Sequence, residues 1–452
     1  MTDARASRSV MVSRIEKHMG EAATRWDDLV QPDRVHRSLY TDPAIFAEEM
    51  VRIFGGTWVY LGHESELSKP NDFATRNLGL RPVILTRDGT GKINALMNRC
   101  AHRAATVCRQ REGSARYFTC AYHGWTYSNS GECVSVPGDN AYGPGFRRER
   151  YNLARIPRIE SYRGLIFGTL NAEAPDLVQH LGAARPLIDQ WLDRFPGAEV
   201  VVRSKAHRMI IAANWKLAYD NAGDGYHPPF SHRSLLLMTA RRYGPDRDMS
   251  YFGTSDPDNC AMYTQALGNG HTFTDQRPEM HADSAWKRQR PQPGREAYEA
   301  KLRDRVGDEE AARLLEVSVG SGMNLNIFPN LLIIGNQIQV VEPIAVNRVQ
   351  LTWYATTLSG VPDEVNVLRM RTQEDFPNFG EVDDCANFEA CQQGLSIPEI
   401  EWLDVSRHLH TGVETVDEYG VITGPVSDDL HFRAYYKEWK RLMSMPLTLT
   451  VG

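Results

Sequence analysis

Two short runs place a thiol and an imidazole side by side: Cys100-Ala101-His102 and Cys120-Ala121-Tyr122-His123, with 17 residues between them. Thiolates and neutral imidazoles are both metal ligands. Structural zinc sites draw on the same two residue types, but zinc fingers usually put Cys with Cys and His with His. Here each loop gives one of each, and the flanks, Arg103 after one histidine and Gly124-Trp125-Thr126-Tyr127 after the other, differ from zinc loops. This is the ligand set of a Rieske [2Fe–2S] centre, where two cysteines hold one iron and two histidines the other. Neutral imidazole ligands raise its potential to roughly −150 to +300 mV, which suits one-electron transfer.

A second constellation lies downstream, in Asn214-Trp215-Lys216, Asp220-Asn221-Ala222-Gly223-Asp224-Gly225-Tyr226-His227 and His232. His227 and His232 are five apart, not the four that would align them on one straight helical face. Pro228 and Pro229 lie between them and are expected to break the helix, so that a kink turns both imidazoles toward one point. Two His and one carboxylate on one face of an Fe(II) ion leave positions open for oxygen and substrate. The carboxylate must come from elsewhere. The run Glu381-Val382-Asp383-Asp384-Cys385-Ala386-Asn387 offers two.

On these motifs the chain resembles the Rieske non-haem iron oxygenases, specifically the large (α) subunit of aromatic ring-hydroxylating dioxygenases, from about Leu39 to the C-terminus. The resemblance implies that the second Asp of the late pair is the ligand. The mononuclear Fe(II) set is then His227, His232 and Asp384, with Asp383 the alternative. It implies that Asp224 hydrogen-bonds both His227 and a cluster histidine of a neighbouring subunit, by motif His123. Carboxylate–imidazole contacts orient metal ligands and raise their basicity, which makes Asp224 the candidate catalytic residue. Trp125 and Asn221 are candidates to support the ligands. A Glu is common just before the Asn in the family, and here that residue is Asp220.

The implied reaction adds both atoms of O2 across an aromatic double bond to give a cis-dihydrodiol. NADH is the implied ultimate donor, through a separate reductase, with or without a ferredoxin. No Gly-rich dinucleotide fingerprint follows a strand here. The implied assembly is a ring of three α subunits, with or without three small β subunits. The spacing 220–224, with Glu64-Ser65-Glu66-Leu67 and Arg163-Gly164-Leu165-Ile166-Phe167-Gly168, looks most like the benzoate, anthranilate and salicylate branch, and so like a monocyclic aromatic acid substrate. An Arg could bind its carboxylate bidentately, and Arg203, Arg208, Arg233, Arg241 and Arg242 are the candidates. The alternatives are a Rieske monooxygenase or demethylase, a dioxygenase of neutral aromatic hydrocarbons, and an electron carrier with a degenerate C-terminal domain.

The elements that must position these residues follow from length and patterning. A chain of 452 residues is expected to form two domains. Short β-rich runs with turn signals suggest an all-β cluster domain over 55–168, with Arg81 to Thr86 and Ile93 to Asn98 as a hairpin. A helical segment over 1–54 is expected to pack with an iron domain over 169–452, built as a central antiparallel sheet flanked by helices. The fold class is therefore α+β. Helices are expected over 15–38, 40–54, 174–194, 297–317, 362–394 and 430–445, strands over 200–213, 324–341 and 348–357, and a long loop over 270–298. A net charge of −6 gives no basic excess for nucleic acid or anionic membrane. No run approaches the 18 or so apolar residues of a membrane span. Seven scattered cysteines do not read as a disulfide framework, and Met1 to Arg14 lacks the apolar core of a secretory signal, so a cytoplasmic setting is expected.

Overall fold

The structure is a computed structural model that describes residues 26–194, 197–202, 206–243, 257–279, 294–318, 321–375, 377 and 380–450. Three small antiparallel sheets surround the cluster loops. One orders Ile93–Met97, Arg81–Arg87, Asp72–Leu78 and Glu112–Ser114. The second orders Arg158–Tyr162, Leu165–Thr169 and Val59–His63, and the third Tyr117–Thr119, Thr126–Ser128 and Cys133–Ser135. Alternation along these strands feeds a local core that includes Phe73, Ile84, Leu96, Phe118, Trp125 and Tyr127, together with Cys100 and Cys120. The cluster loops thus grow out of a packed β framework.

A nine-stranded antiparallel sheet forms the second body. Its order is His207–Ile211, Arg348–Tyr354, Gln337–Ala345, Leu331–Ile334, Met323–Ile327, His271–Asp275, Tyr263–Gly268, Ile422–Pro425 and Thr415–Val416. The helix Trp215–Gly223 lies on it, with Tyr219 Oη donating to Gly270 O at 2.8 Å. Asn214 caps that helix, accepting from Lys216 N at 3.1 Å. The N-terminal helix Pro43–Arg52 starts on Asp42, whose side chain accepts from Ala44 N. Its buried Glu49 receives Lys216 Nζ at 2.6 Å and the indole N–H groups of Trp215 and Trp439 at 2.8 Å. A fully buried carboxylate is tolerable only with such a donor set. Asn214-Trp215-Lys216 is therefore a positioning motif that fixes where the next helix turn points.

Three expectations need correction. Of the helix expected over 15–38, residues 15–25 lie outside the described residues, and Arg34–His36 is a strand paired with Trp402–Asp404. The loop expected over 270–298 begins as a central strand, His271–Asp275, with all five residues buried, while 280–293 lie outside the described residues. Its polar composition misleads because those side chains are satisfied internally: His271 Nδ1 accepts from Phe328 N at 3.0 Å, and Thr272 Oγ1 from Asn326 Nδ2 at 3.0 Å. Third, the prolines do not break the helix. It ends at Asp224, in extended backbone, and Pro228 and Pro229 open a new turn, Pro228–Ser231, where proline fits because the first helical N–H groups lack partners anyway.

Candidate iron centres

The two Cys/His loops are the same turn built twice. Cys100 N donates to Ala105 O at 2.8 Å, and Ala104 N donates to Cys100 O at 3.0 Å. Cys120 N donates to Trp125 O at 2.8 Å, and Gly124 N donates to Cys120 O at 2.9 Å. The fifth residue of each turn is left-handed, with φ 62° at Ala104 and 72° at Gly124. Glycine accepts that conformation freely, whereas an L-residue such as Ala104 carries a cost of roughly 1–2 kcal/mol. Cys100 and Cys120 are buried, and the His102 and His123 rings lie 4.6 Å apart at the loop tips. Trp125 stacks on His102 at 4.9 Å with the rings 6° from parallel. Trp125, a candidate from the sequence, thus lies flat against one imidazole and limits the tilt of its plane. The sequence reading missed Tyr127. Its Oη lies 3.2 Å from Cys100 Sγ and accepts from Ala101 N at 3.1 Å, leaving its proton for the sulfur. Burial first, and then this contact with Cys100, raise the phenol above its ordinary value. Its place four residues after His123 was the available signal.

The second constellation converges. One ligand atom from each of His227, His232 and Asp384 lies within 4.8 Å of the others. Asp384 Oδ1 is 3.6 Å from His227 Nε2 and 3.4 Å from His232 Nε2. Those separations are long for hydrogen bonds, but two ligands about 2.1 Å from one ion at 90–110° stand about 3.0–3.4 Å apart. Asp384 is 1% exposed, and its Oδ1 has no hydrogen-bond donor. Burial pushes that carboxyl upward against the opposing pull of the two histidines, so the position calls for a cation. The donor set of two imidazoles and one carboxylate fits Fe(II).

The far side of each imidazole meets a second carboxylate. His227 Nδ1 lies 3.5 Å from Asp224 Oδ2, and His232 Nδ1 lies 3.5 Å from Asp383 Oδ2. Asp383, weighed in the sequence as an alternative ligand, thus backs a histidine while Asp384 faces both. Asp224 is held between two close approaches: a Cβ on Gly223 would press on His431, and one on Gly225 would overlap Val426. Asp224 Oδ1 accepts from Tyr226 N at 2.6 Å, which fixes the carboxylate. Asn221 lies on the Asp384 side of the centre and opposes the upward push of burial on that carboxyl. Asp220 points away from this centre, toward Tyr40 and Tyr435. Among the candidate arginines, Arg208, Arg233 and Arg241 are exposed, while Arg203 and the side chain of Arg242 lie outside the described residues.

A [2Fe–2S] domain joined to a three-ligand mononuclear iron domain defines an oxygenase of the Rieske type. Two family descriptions match the chain: "Rieske [2Fe-2S] domain" over residues 57–160 and "Ring hydroxylating alpha subunit (catalytic domain)" over residues 198–444. The chain belongs to this ring-hydroxylating α-subunit family, as an oxidoreductase whose cofactors are the Rieske cluster and a mononuclear iron. It is 37% identical to the 2-halobenzoate 1,2-dioxygenase large subunit of Burkholderia cepacia, over 83% of this chain and 80% of that one. It is 32% identical to the toluate 1,2-dioxygenase subunit alpha of Pseudomonas putida, over 90% and 88%. The solved naphthalene 1,2-dioxygenase from Rhodococcus sp., bound to indole, superposes with a TM-score of 0.72 at 26% identity, over 95% of this chain and 97% of that one. Among the described residues no helix is long and apolar enough to cross a membrane.

Proposed function

We propose that this dioxygenase α subunit cis-dihydroxylates a monocyclic aromatic carboxylic acid, with electrons that originate in NADH and arrive through a separate reductase. The observation that carries the reading is the convergence of His227 Nε2, His232 Nε2 and Asp384 Oδ1 around a buried point, in a chain that also holds a Rieske domain. The acid substrate is supported by the relatives named for halobenzoate and toluate. In this reading Cys100, His102, Cys120 and His123 hold the cluster, and His227, His232 and Asp384 hold the iron.

When bound, the two centres supply single-electron storage and oxygen activation. The protein's own residues set the geometry. Asp224 and Asp383 stand 3.5 Å from Nδ1 of His227 and His232 on the side away from Asp384, so that each carboxylate favours a proton on Nδ1 and leaves each Nε2 facing the common point. Trp125 holds the His102 plane, and Tyr127 donates to Cys100. Asp224 is also read as the contact for His123 of a neighbouring copy in a ring of three. Its partial exposure, beside the exposed rings of Tyr226 and Phe230, supports that reading.

A single turnover of reduced, iron-loaded protein with 18O2 tests the reading, using benzoate-type acids beside neutral aromatics. Two labelled oxygens in an acid product are expected. One label, or loss of a methyl group, moves the chain to the monooxygenase or demethylase reading. Diols from neutral hydrocarbons alone discard the acid substrate.

A further inference from the structure

The cluster domain carries charge opposite to the rest of the chain. Residues 57–160 hold fifteen Lys/Arg and nine Asp/Glu, a net +6, while the remainder of the chain carries −12. The excess is concentrated beside the cluster ligands. Arg99, Arg103, Arg109, Arg111 and Arg116 fall within 18 residues that contain one acidic residue, Glu112. All five are exposed. Elsewhere in the domain Arg76, Arg87 and Arg158 meet carboxylates, whereas none of these five forms an ion pair with a described residue.

The backbone around them gives the patch a shape. Glu112–Ser114 is the exposed edge strand of the four-stranded sheet, and Tyr117–Thr119 is the edge of the three-stranded one. The run ends directly on Cys120, while Arg99 precedes Cys100 and Arg103 follows His102. Tyr117 stands beside the arginines at 59% exposure, whereas Tyr122 and Arg103 adjoin the histidine tips where a neighbouring copy is read to sit, so the free face is the edge formed by Arg109, Arg111, Arg116 and Tyr117. Arginine and tyrosine are the residue types enriched at protein–protein interfaces. A bland role for such charges is to keep bare strand edges from pairing. That role needs no clustering around both ligand loops.

We propose that this face docks an acidic electron-donor protein. Opposite charge steers such a partner onto the edge and brings its reduced centre beside the cluster loops. One electron then leaves the donor, which is oxidised by one equivalent, and enters the cluster, which is reduced by one. The proposal rests on the reading that electrons come from a separate protein. The acidic body of a second copy of this chain is the competing occupant.

The test follows bleaching of the oxidised cluster by stopped flow in the full-length holoprotein. The donors are a photoreduced plant-type [2Fe–2S] ferredoxin, which is acidic, and reduced methyl viologen, a small cation. In the triple variant Arg109→Glu, Arg111→Glu, Arg116→Glu the ferredoxin rate constant should fall about tenfold or more at low salt, and the wild-type rate should fall steeply as salt is added. Methyl viologen should bleach both proteins at least equally fast, and their size in solution should match. Equal ferredoxin rates in wild type and variant overturn the proposal. So does a wild-type cluster that methyl viologen reduces but ferredoxin does not. Loss of assembly with the ferredoxin rate retained assigns the patch to a second copy instead. Failure of methyl viologen to bleach any cluster absorbance removes the cluster reading itself, a result distinct from the others.

Discussion

Tyr40 Oη donates to Asp220 Oδ2 at 2.8 Å, tying the N-terminal segment to the helix that leads into Asp224 and His227. Tyr435 of the C-terminal helix Leu430–Ser444 donates to the other carboxylate oxygen, and Tyr436 reaches Tyr40. Three distant segments therefore meet on one buried carboxylate. Burial pushes that carboxyl up to about 7, against the pull of the two phenols and Lys216. Asp220→Ala should strand two buried phenols and cost about 2–5 kcal/mol, measured by urea unfolding. Asp220→Glu should also cost about 1–3 kcal/mol, because the added methylene must be fitted into a buried site whose carboxylate is already held by two phenols. A Glu variant as stable as wild type would contradict the packing described here.

Asp224→Asn should keep the cluster absorbance and the iron while nearly abolishing turnover. The change preserves shape but removes the charge that backs His227. Retained turnover would take Asp224 out of the electron path.

Asp383→Asn addresses the other histidine. It should weaken iron binding about 10–100-fold and leave the cluster spectrum untouched, read by iron retention against a chelator. Asp384→Asn, which removes the carboxylate facing both imidazoles, should leave about two irons per chain instead of about three. Reversed severities would show that Asp383 is the ligand.

Tyr127→Phe should lower the cluster potential in protein-film voltammetry. Its hydroxyl donates to Cys100 Sγ, and a donor to sulfur favours the more electron-rich, reduced state. Iron content should stay at wild-type level.

Stability should fall between pH 6.5 and about pH 8. Burial pushes Glu381 up to about 8, with the charge of Asp384 adding to it, as burial pushes Asp220 up to about 7. Both groups have folded values above their unfolded ones, so the native chain holds protons that the unfolded chain has already lost. Their contribution is full in acid and lost as pH rises through the folded values. His63, His271 and His431 are pushed down to about 4 by burial, which makes stability rise with pH, but only up to the unfolded value of 6.5. Above that the effect of these three histidines is complete, and the raised His227 imidazole pulls in the same direction as the carboxyls. Unfolding midpoints at the two ends of this range should show the loss, and Glu381→Gln, which can still accept from Gln339, should flatten it.

What the sequence discloses depends on how local the chemistry is. Cys100, His102, Cys120 and His123 are legible because each pair sits in one short loop and the spacing is itself the signal. His227 and His232 are legible as a pair, but Asp384 depends on the family resemblance, since nothing near it marks which Asp turns inward. Tyr40–Asp220 and the Glu49 contacts join residues far apart in sequence and leave no periodic trace. His271–Asp275 reads as loop because central-strand burial is written there in hydrogen bonds rather than in apolar side chains. The fold class follows from alternation and turn residues, whereas the order of the nine strands does not.

The paired turns at Cys100 and Cys120 are closed by main-chain groups, not by the side chains that face the metals. Loop shape is thereby separated from loop cargo. A finger that folds only around its ion draws its stability from that ion, whereas here the loops rest on a β framework with its own core. Scaffold and ligand set are therefore separable: the residues that hold a metal can change while the turn that presents them keeps its shape.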